Sequence, residues 1–324
     1  MPPTLRPFDW RDLPLLHRYR NQSVCMDSAH VVTHGASLTA GDLLGSIASA
    51  TEVFGRFTWI CANDHDDQPL MGQAIHPQDE ISARIAFLAP EEAIESPSSV
   101  DLLEGLARHA GERGAFNLLA EAEEESVVFA PLRRAGFSIY ARQRIWELPT
   151  DGATVSSAYQ WVAARQQDAA IIHTLYQAIV PGLVQQVEPP SENHAKTLIC
   201  AQQGELIGYA DLKQGSHGIW VQPFVHPDVE NPQALLSSLF ASLPNRRGRK
   251  VYVCVRTYQS WLESALYQLD ARPGPGQAAM VKRLTAGQRR IKSFSLLKLE
   301  AQREATTPIS QMEVKPPDTV AKIL

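Results

Sequence analysis

The densest group of side chains able to bind a metal lies at residues 63–68, which read NDHDDQ. Carboxylates and imidazoles ligate metals, but this run separates two apolar segments. Asn and Asp are favoured there for the local geometry of a turn. The turn is the preferred interpretation, and the sequence predicts no metal site. No Ser-His-Asp or Cys-His pattern, P-loop or Rossmann fingerprint is found either.

The cysteines offer little support for thiol chemistry. The chain has four, Cys25, Cys61, Cys200 and Cys254, and no Cys-x-x-Cys pair. Three lie in strand-like apolar runs, where cysteine packs as a small hydrophobic residue. A structural role is therefore expected, with a disulfide or a nucleophile as alternatives. This usage favours a reducing compartment.

Composition narrows the class of protein. The chain has 324 residues, 44% of them hydrophobic and 20% charged, with a net charge of −5. These values are typical of a globular protein long enough for two domains, and they do not favour nucleic-acid binding. The N-terminus lacks the pattern of a signal peptide, and no apolar run is long enough for a membrane helix. The prediction is a cytoplasmic protein with no membrane or nucleic-acid partner.

An internal repeat indicates which elements position a site. Residues 59–74 read WICANDHDDQPLMGQA, and residues 197–212 read TLICAQQGELIGYADL. Each contains Ile-Cys-Ala, a polar turn, an aliphatic pair, and a Gly with an Ala two positions later. The pattern predicts two similar hairpins. Cys61 and Cys200 are therefore expected at equivalent core positions.

The same order of elements surrounds both hairpins. Before each lies a strand and helix, with Asp9 or Asp12 as the first helix cap. After each come an apolar strand ending in Pro and a helix closed by Arg-Gly, where Gly favours a left-handed C-cap. A strand, a helix and a last strand follow. The paired segments are 5–22 and 159–179, 81–90 and 217–227, 100–114 and 233–248, 115–122 and 249–257, and 126–148 and 260–284.

The repeat predicts an α/β (α+β) protein of two tandem domains, each a mixed sheet flanked by helices. The expected boundaries are 1–150 and 151–290, joined by a polar linker at 149–158. Residues 291–324 are expected to add a strand at SFSLLKLEA (293–301) and a loose tail.

This repeat unit resembles the GNAT (GCN5-related N-acetyltransferase) superfamily. The resemblance lies in the hairpin, in the FLAP and FVHP strand ends, and in the helix-then-Gly-Phe ending of PLRRAGFSIYARQRIWEL. It implies a sheet splayed between its fourth and fifth strands, where acyl-CoA binds. It also implies that pantetheine bonds the backbone of the fourth strand, which in the second repeat contains Phe224 and Val225. The pyrophosphate would lie on a Gly-rich loop at the start of the next helix.

Both pyrophosphate loops depart from that pattern. After Pro90 the first repeat has Ala93 in place of the expected Arg, and Glu91, Glu92 and Glu95 nearby. Like charges oppose a pyrophosphate, although acids also stabilise a helix N-terminus. In the second repeat the loop is shorter and also lacks Gly and Arg. Asn231 and Gln233 are its candidate donors, and Pro232 suits a helix start.

The resemblance also implies a tyrosine after Leu in the last helix, which protonates the CoA thiolate. The first repeat lacks it, whereas the second keeps Leu266-Tyr267. Tyr267 is therefore the candidate acid, with a half-buried helix aromatic as its alternative. His226 is a candidate base for an amine, unless it only packs at a strand end. The basic clusters 133–136 and 245–250 are candidates for the CoA 3′-phosphate or for a solvated surface.

The sequence thus favours an acetyl-CoA-dependent N-acetyltransferase active in its C-terminal half. The acceptor would be an amine of a small molecule or a protein, and an oligomer is compatible with the sequence. The alternative is a non-catalytic binding or assembly module that has lost CoA. A further alternative is an acyl donor carried on a protein or tRNA.

Overall fold

The computed structural model describes residues 4–35, 55–62, 68–77, 80–149, 159–190, 196–244, 246 and 248–284. All of these lie in one compact unit, Met1–Gly287. Most of the NDHDDQ run and the strand expected at 293–301 lie outside the described residues.

The two repeats contain the same succession of strands and helices, except that β2 of the first repeat has no counterpart in the second. In the first repeat these are β1 (Thr4–Pro7), α1 (Leu13–Tyr19), β2 (Val24–Cys25), α2 (Ser28–His34), β3 (Arg56–Ala62), β4 (Leu70–Ile75), β5 (Ser82–Ala89), α3 (Ser98–Glu112), β6 (Asn117–Ala122), α4 (Phe129–Arg134) and β7 (Ser138–Glu147). In the second they are β8 (Trp161–Ala163), α5 (Ala169–Ile179), α6 (Gly182–Val187), β9 (Thr197–Gln202), β10 (Glu205–Gln214), β11 (Gly218–Val225), α7 (Pro232–Ala241), β12 (Lys250–Arg256), α8 (Leu262–Gln268) and β13 (Arg272–Arg283).

The two repeats share one mixed sheet, in the order β1-β3-β4-β5-β6-β13-β7-β12-β11-β10-β9-β8, and β2 pairs with β5 outside this path. The β5–β6 and β11–β12 pairs are parallel, and the other pairs are antiparallel. The predicted mixed α/β fold and tandem repeat are confirmed. Their last strands are exchanged, because β13 pairs with β6 while β7 pairs with β12.

Two cores lie on one face of this sheet. α3 and α4 cover the first repeat with Leu102, Leu106 and Leu132, and α7 and α8 cover the second. Cys61 and Cys200 lie in these two cores, each 1% exposed, which confirms their equivalence. All four cysteines are thiols rather than disulfides.

On the other face, each repeat covers part of its neighbour. Val32 of α2 packs against Trp220 and Cys254 of the second repeat. In the same way, Val184 and Val187 of α6 belong to a cluster with Leu119 of the first repeat. The repeats therefore bury apolar surface reciprocally, in addition to exchanging strands.

The structure confirms one predicted helix end and corrects another. Gly114 follows α3 with φ +96°, as expected of a left-handed C-cap. The helix predicted over 233–248 instead ends at Ala241, and Gly248 lies in the turn that follows, with φ +74°. Pro244 explains the earlier end, since proline cannot continue a helix. Asp9 is the capping residue near the N-terminus, where its side chain accepts a hydrogen bond from the Trp10 N–H.

Gly218→Ala should weaken the packing of α2 on the second repeat. A Cβ atom at Gly218 would lie 2.5 Å from the Val32 carbonyl oxygen, so backbone must move. Overpacking of this kind destabilises by about 1–3 kcal/mol. Gly182→Ala is the matched control, because no atom lies within 4 Å of its added Cβ. Denaturant unfolding of both variants measures the difference, and equal stabilities would contradict the packing described.

Candidate functional site

Each repeat has one place where two parallel strands separate. β11 and β12 are paired from Gly218–Lys250 to Val221–Val253. Beyond these residues the strands diverge, and we call the gap the second splay. β5 and β6 are likewise paired as far as Arg84–Leu119 and then form the first splay. A diverging strand edge carries backbone N–H and C=O groups that need partners.

Backbone of the same chain fills the first splay. β2 pairs with the end of β5, with Val24 opposite Leu88. Next to it, the Met26 N–H donates to the Ala86 carbonyl at 2.9 Å, and the Met26 carbonyl accepts from the Glu121 N–H at 3.0 Å. Met26 therefore bridges both diverging strands and is 1% exposed. A ligand could enter this gap only if the segment left it.

A single side chain fills the corresponding edge of the second splay. The Gln259 Oε1 atom accepts from the Val225 N–H at 2.9 Å, and its Nε2 atom donates to the Pro223 carbonyl at 3.0 Å. Gln259 is 1% exposed and belongs to a 3-10 turn, Thr257–Gln259, that follows β12. One primary amide thus satisfies both a donor and an acceptor of the strand edge.

The number of residues between the first two helices of each repeat explains why backbone fills the first splay and a side chain fills the second. In the first repeat, residues 20–27 separate α1 from α2, and these residues thread the splay. In the second repeat, α5 and α6 are separated by residues 180–181 alone. The second repeat therefore has too little chain at this point to insert a strand.

Phe224 and Val225 were predicted to hold a cofactor through their backbone. Both lie at the diverging end of β11, as the sequence indicated. The Phe224 ring stacks on Tyr209 at 4.5 Å, and Val225 is fully buried in the core beneath α7. The Val225 N–H donates to Gln259, so the predicted cofactor contact is occupied by a side chain of the same protein.

Asn231 and Gln233 lie at the start of α7. Asn231 is the N-cap, and its Oδ1 atom accepts from the Ala234 N–H at 2.9 Å. Gln233 reaches the Gln268 carbonyl at 3.4 Å. Pro232 is the first helical residue, as predicted. Because Asn231 caps the helix, its side chain supplies an acceptor, rather than a donor, to this helix N-terminus.

Tyr267 and His226 lie on different elements. The Tyr267 ring lies edge-on to Trp146, 4.6 Å between centroids, and the residue is 56% exposed. His226 follows β11, and its Nδ1 atom accepts from the Asp228 N–H at 3.2 Å. This bond leaves the proton of the neutral ring on Nε2. To act as a base, His226 would first have to release the Asp228 N–H.

A buried charged cluster lies beside the second splay. Glu188, just after α6, accepts hydrogen bonds from Arg256 Nη2 at 2.7 Å, Tyr140 Oη at 2.8 Å and Arg84 Nη2 at 3.3 Å. Tyr176 Oη also donates to the Glu188 backbone carbonyl. The cluster joins residues of both repeats around one carboxylate.

The neighbouring arginines and Tyr140 determine the pKa of Glu188. Burial alone would raise it, but the charges of Arg256 and Arg84 and the hydrogen bond from Tyr140 lower it to about 2. Burial and the neighbouring Glu188 charge raise the pKa of Tyr140 well above its usual range. Glu188 is therefore an anion, and Tyr140 a neutral donor, throughout the physiological pH range.

Comparison with known proteins supports the fold. No protein-family model and no curated protein matches the sequence. A GCN5-related N-acetyltransferase from Sphaerobacter thermophilus aligns with a TM-score of 0.55 and 10% identity, over 87% of this chain and 95% of that one. A tandem GNAT protein from the clavulanic acid biosynthesis pathway aligns with a TM-score of 0.49 and 13% identity, over 87% and 98% of the two chains. A GNAT-family acetyltransferase from Colwellia psychrerythraea aligns with a TM-score of 0.44 and 11% identity, over 87% of this chain and 100% of that one.

The chain thus has the GNAT acetyltransferase fold in tandem. At these identities the likeness concerns the fold, and the chemistry must be argued from this chain's own residues. Among the described residues, no cluster of three or more metal-binding side chains was found. Within the same part of the chain, no helix is long and apolar enough to cross a membrane.

The sequence did not reveal Gln259, the segment at 22–26 or Glu188. Gln259 lies in the short loop after β12, and a polar loop residue gives no sign that it will fill a strand edge. A signal was available for the first splay, because the first repeat has extra residues before its hairpin. Glu188 lies before two prolines, in a stretch without periodicity.

Glu188→Gln should destabilise the protein by about 3–5 kcal/mol at pH 7, because it leaves two arginines without their carboxylate. The pKa of Glu188 in the folded protein is lowered to about 2 from its ordinary value of 4.5. The stability that the ionised Glu188 carboxylate contributes to the folded protein is therefore fully present above pH 4.5, and it is lost as the pH falls towards 2. The difference from wild type should shrink by about 2 kcal/mol between pH 7 and pH 3.

Denaturant unfolding at both pH values measures this change. Glu205→Gln, at an exposed position of β10, is the control and should match wild type at each pH. A pH-independent loss in Glu188→Gln would show that the carboxylate is not held by charge.

Proposed function

We propose that the second repeat binds an acyl-CoA and transfers the acyl group to an amine. The observation that carries this proposal is the edge of β11 in the second splay. Its Val225 N–H and Pro223 carbonyl are bonded to a side-chain amide rather than to backbone. Pantetheine carries two amide groups, which together offer an acceptor and a donor for the same pair. Gln259 is then the group that such a ligand replaces.

Replacement of Gln259 is energetically feasible. Rotation of one side chain breaks two hydrogen bonds, each worth about 0.5–1.5 kcal/mol net, and the ligand restores both. Removal of Met26 from the first splay would instead break bonds to two strands and expose a buried side chain. The first repeat is therefore proposed as the non-catalytic half. Acetyl-CoA is the simplest acyl donor of this class.

The proposed reaction is direct transfer. Acetyl-CoA supplies an acyl group activated as a thioester. The acceptor nitrogen forms a bond to the carbonyl carbon, the carbon–sulfur bond breaks, and the thiolate accepts a proton. Tyr267 is the proposed donor of that proton, and the exposed position of its ring leaves it accessible. His226 is the proposed base for the ammonium proton, after its Nδ1 atom releases the Asp228 N–H.

A second candidate function is a non-catalytic assembly module. It is favoured by a specific observation, since the ligand-binding edges of both splays are already satisfied within the chain. Asn231 also uses its side chain to cap α7 instead of binding an anion. In this case Gln259 would be a permanent part of the core, and the exchanged sheet would serve only as a scaffold.

Gln259→Ala separates the two candidates. Without the amide, the β11 edge is open, so acetyl-CoA no longer competes with a side chain. Calorimetry should show binding about tenfold tighter than in wild type, which corresponds to roughly 1.4 kcal/mol. Gln268→Ala on α8 is the control and should bind as wild type does. If neither wild type nor Gln259→Ala binds at millimolar acetyl-CoA, the acyl-CoA proposal fails and the assembly module is left.

Tyr267→Phe tests the proposed acid. If Tyr267 protonates the thiolate, kcat should fall about 100-fold while the acetyl-CoA dissociation constant stays unchanged. CoA release can be followed with a thiol reagent over a panel of amines. Tyr159→Phe, half-buried against the second core, is the matched control. Equal turnover of Tyr267→Phe and wild type would exclude Tyr267 as the acid.

A further inference from the structure

Two histidines lie one turn apart on α2. His30 and His34 are separated by four positions, a spacing that places both side chains on the same face of a helix. Their rings are stacked, with 4.8 Å between the centroids and 16° between the planes. His34 is exposed and His30 is half-buried, so solvent reaches this face of the helix. The pair has no part in the acyl transfer proposed for the second splay.

The hydrogen bonds of Thr33 determine which nitrogen of His34 carries the proton. The Thr33 hydroxyl donates to the Ala29 carbonyl at 2.6 Å, and it has only one proton to give. Its oxygen lies 2.8 Å from His34 Nδ1 and therefore accepts a hydrogen bond from that atom. In the neutral ring this leaves the Nε2 atom unprotonated, which is the form that binds a metal ion.

The separation of the two rings suits a shared metal ion. Because a metal–nitrogen bond is about 2.0–2.1 Å long, two imidazoles on one ion have ring centroids roughly 4.5–5 Å apart. The observed 4.8 Å lies in this range, so the rings have to turn but the helix does not have to move. Histidines at the same spacing on a helix supply two of the ligands in zinc-binding motifs.

The end of α2 also favours a cation at this position. His34 is the last residue of the helix, where the terminal carbonyl groups carry a partial negative charge. The backbone here is held in place, because the Thr33 carbonyl accepts from the His217 N–H of the second repeat at 2.9 Å and Val32 packs against Trp220. A fixed backbone reduces the entropy lost when two side chains bind one ligand.

We infer that His30 and His34 together bind one divalent transition-metal ion. Imidazole nitrogens suit ions such as Zn²⁺, Ni²⁺ and Cu²⁺, whereas Mg²⁺ and Ca²⁺ prefer oxygen ligands. The described residues contain no cluster of three metal-binding side chains, so water completes the coordination. The bound ion links two consecutive turns of α2, the helix of the first repeat that packs on the second. This site is independent of the proposed acyltransferase function.

Calorimetry of the untagged protein with nickel chloride tests the site. Wild type should bind a single Ni²⁺ at this pair. His30→Gln and His34→Gln each leave one imidazole, and each should weaken the binding about tenfold or more, because the second ligand no longer acts at a high effective concentration. His173→Gln, which removes an exposed histidine of α5, is the matched control and should bind Ni²⁺ as wild type does.

Thr33→Val tests the orientation of His34. The substitution removes the acceptor of the Nδ1–H group, and loss of such an outer partner weakens metal binding by about 10–100-fold. Thermal unfolding without metal shows whether the variant is folded. If folded Thr33→Val and wild type bind Ni²⁺ equally, this orientation of His34 is overturned.

Thermal unfolding with the metal provides a second readout. Ni²⁺ at about ten times its Kd should raise the Tm of wild type by about 2–4 °C and should leave the Tm of His34→Gln unchanged. No Ni²⁺ binding in wild type, or equal binding in wild type and both histidine variants, would overturn the site. Binding without a Tm shift would show that the ion does not stabilise α2, and equal binding of Mg²⁺ would overturn the assignment to imidazole nitrogens.

Discussion

The position of β13 between β6 and β7 is the constraint on which the rest of the structure depends. Met280 of β13 lies opposite Ala120 of β6, while Gln277 lies opposite Gln143 of β7. From Ala278 to Val281, β13 is thereby paired with strands of the first repeat on both sides. β7 in turn is matched to β12 of the second. In this arrangement neither repeat completes its own sheet, because each covers a strand edge of its neighbour.

The buried charges are a consequence of that exchange. Placing the repeats side by side brings Arg84 of β5 and Arg256 of β12 to the same carboxylate, Glu188. A buried carboxylate is unfavourable unless it is paired and hydrogen-bonded. Here both conditions depend on the correct arrangement of the two repeats. The cluster therefore favours one relative placement of the repeats over others, and it fixes the end of β12 from which the Gln259 turn begins.

Local patterns in the sequence predicted the elements but not their partners. The hairpins, the strands ended by Pro90 and Pro227 and the equivalence of Cys61 with Cys200 all follow from periodicity and turn residues, which act within a few positions. The exchange of β13 and β7 could not be predicted from the sequence, because the residue pattern of each strand suits pairing with β6 and with β12 equally well. At the site, the position of Val225 was predictable because it depends on the strand. The partner of its N–H was not, because Gln259 reaches it through tertiary structure.

The two splays satisfy the hydrogen bonds of a diverging strand edge in different ways, one with backbone and one with a side chain. A fold with diverging strands must satisfy the exposed edge groups, with a ligand or with its own atoms. In the first repeat the partner is the backbone around Met26, which cannot leave without unfolding β2. In the second repeat the partner is one amide at the end of a rotatable side chain. The hydrogen-bond partner of the β11 edge could therefore leave by rotation of one side chain, and this difference is the reason for proposing the second repeat as the ligand-binding half.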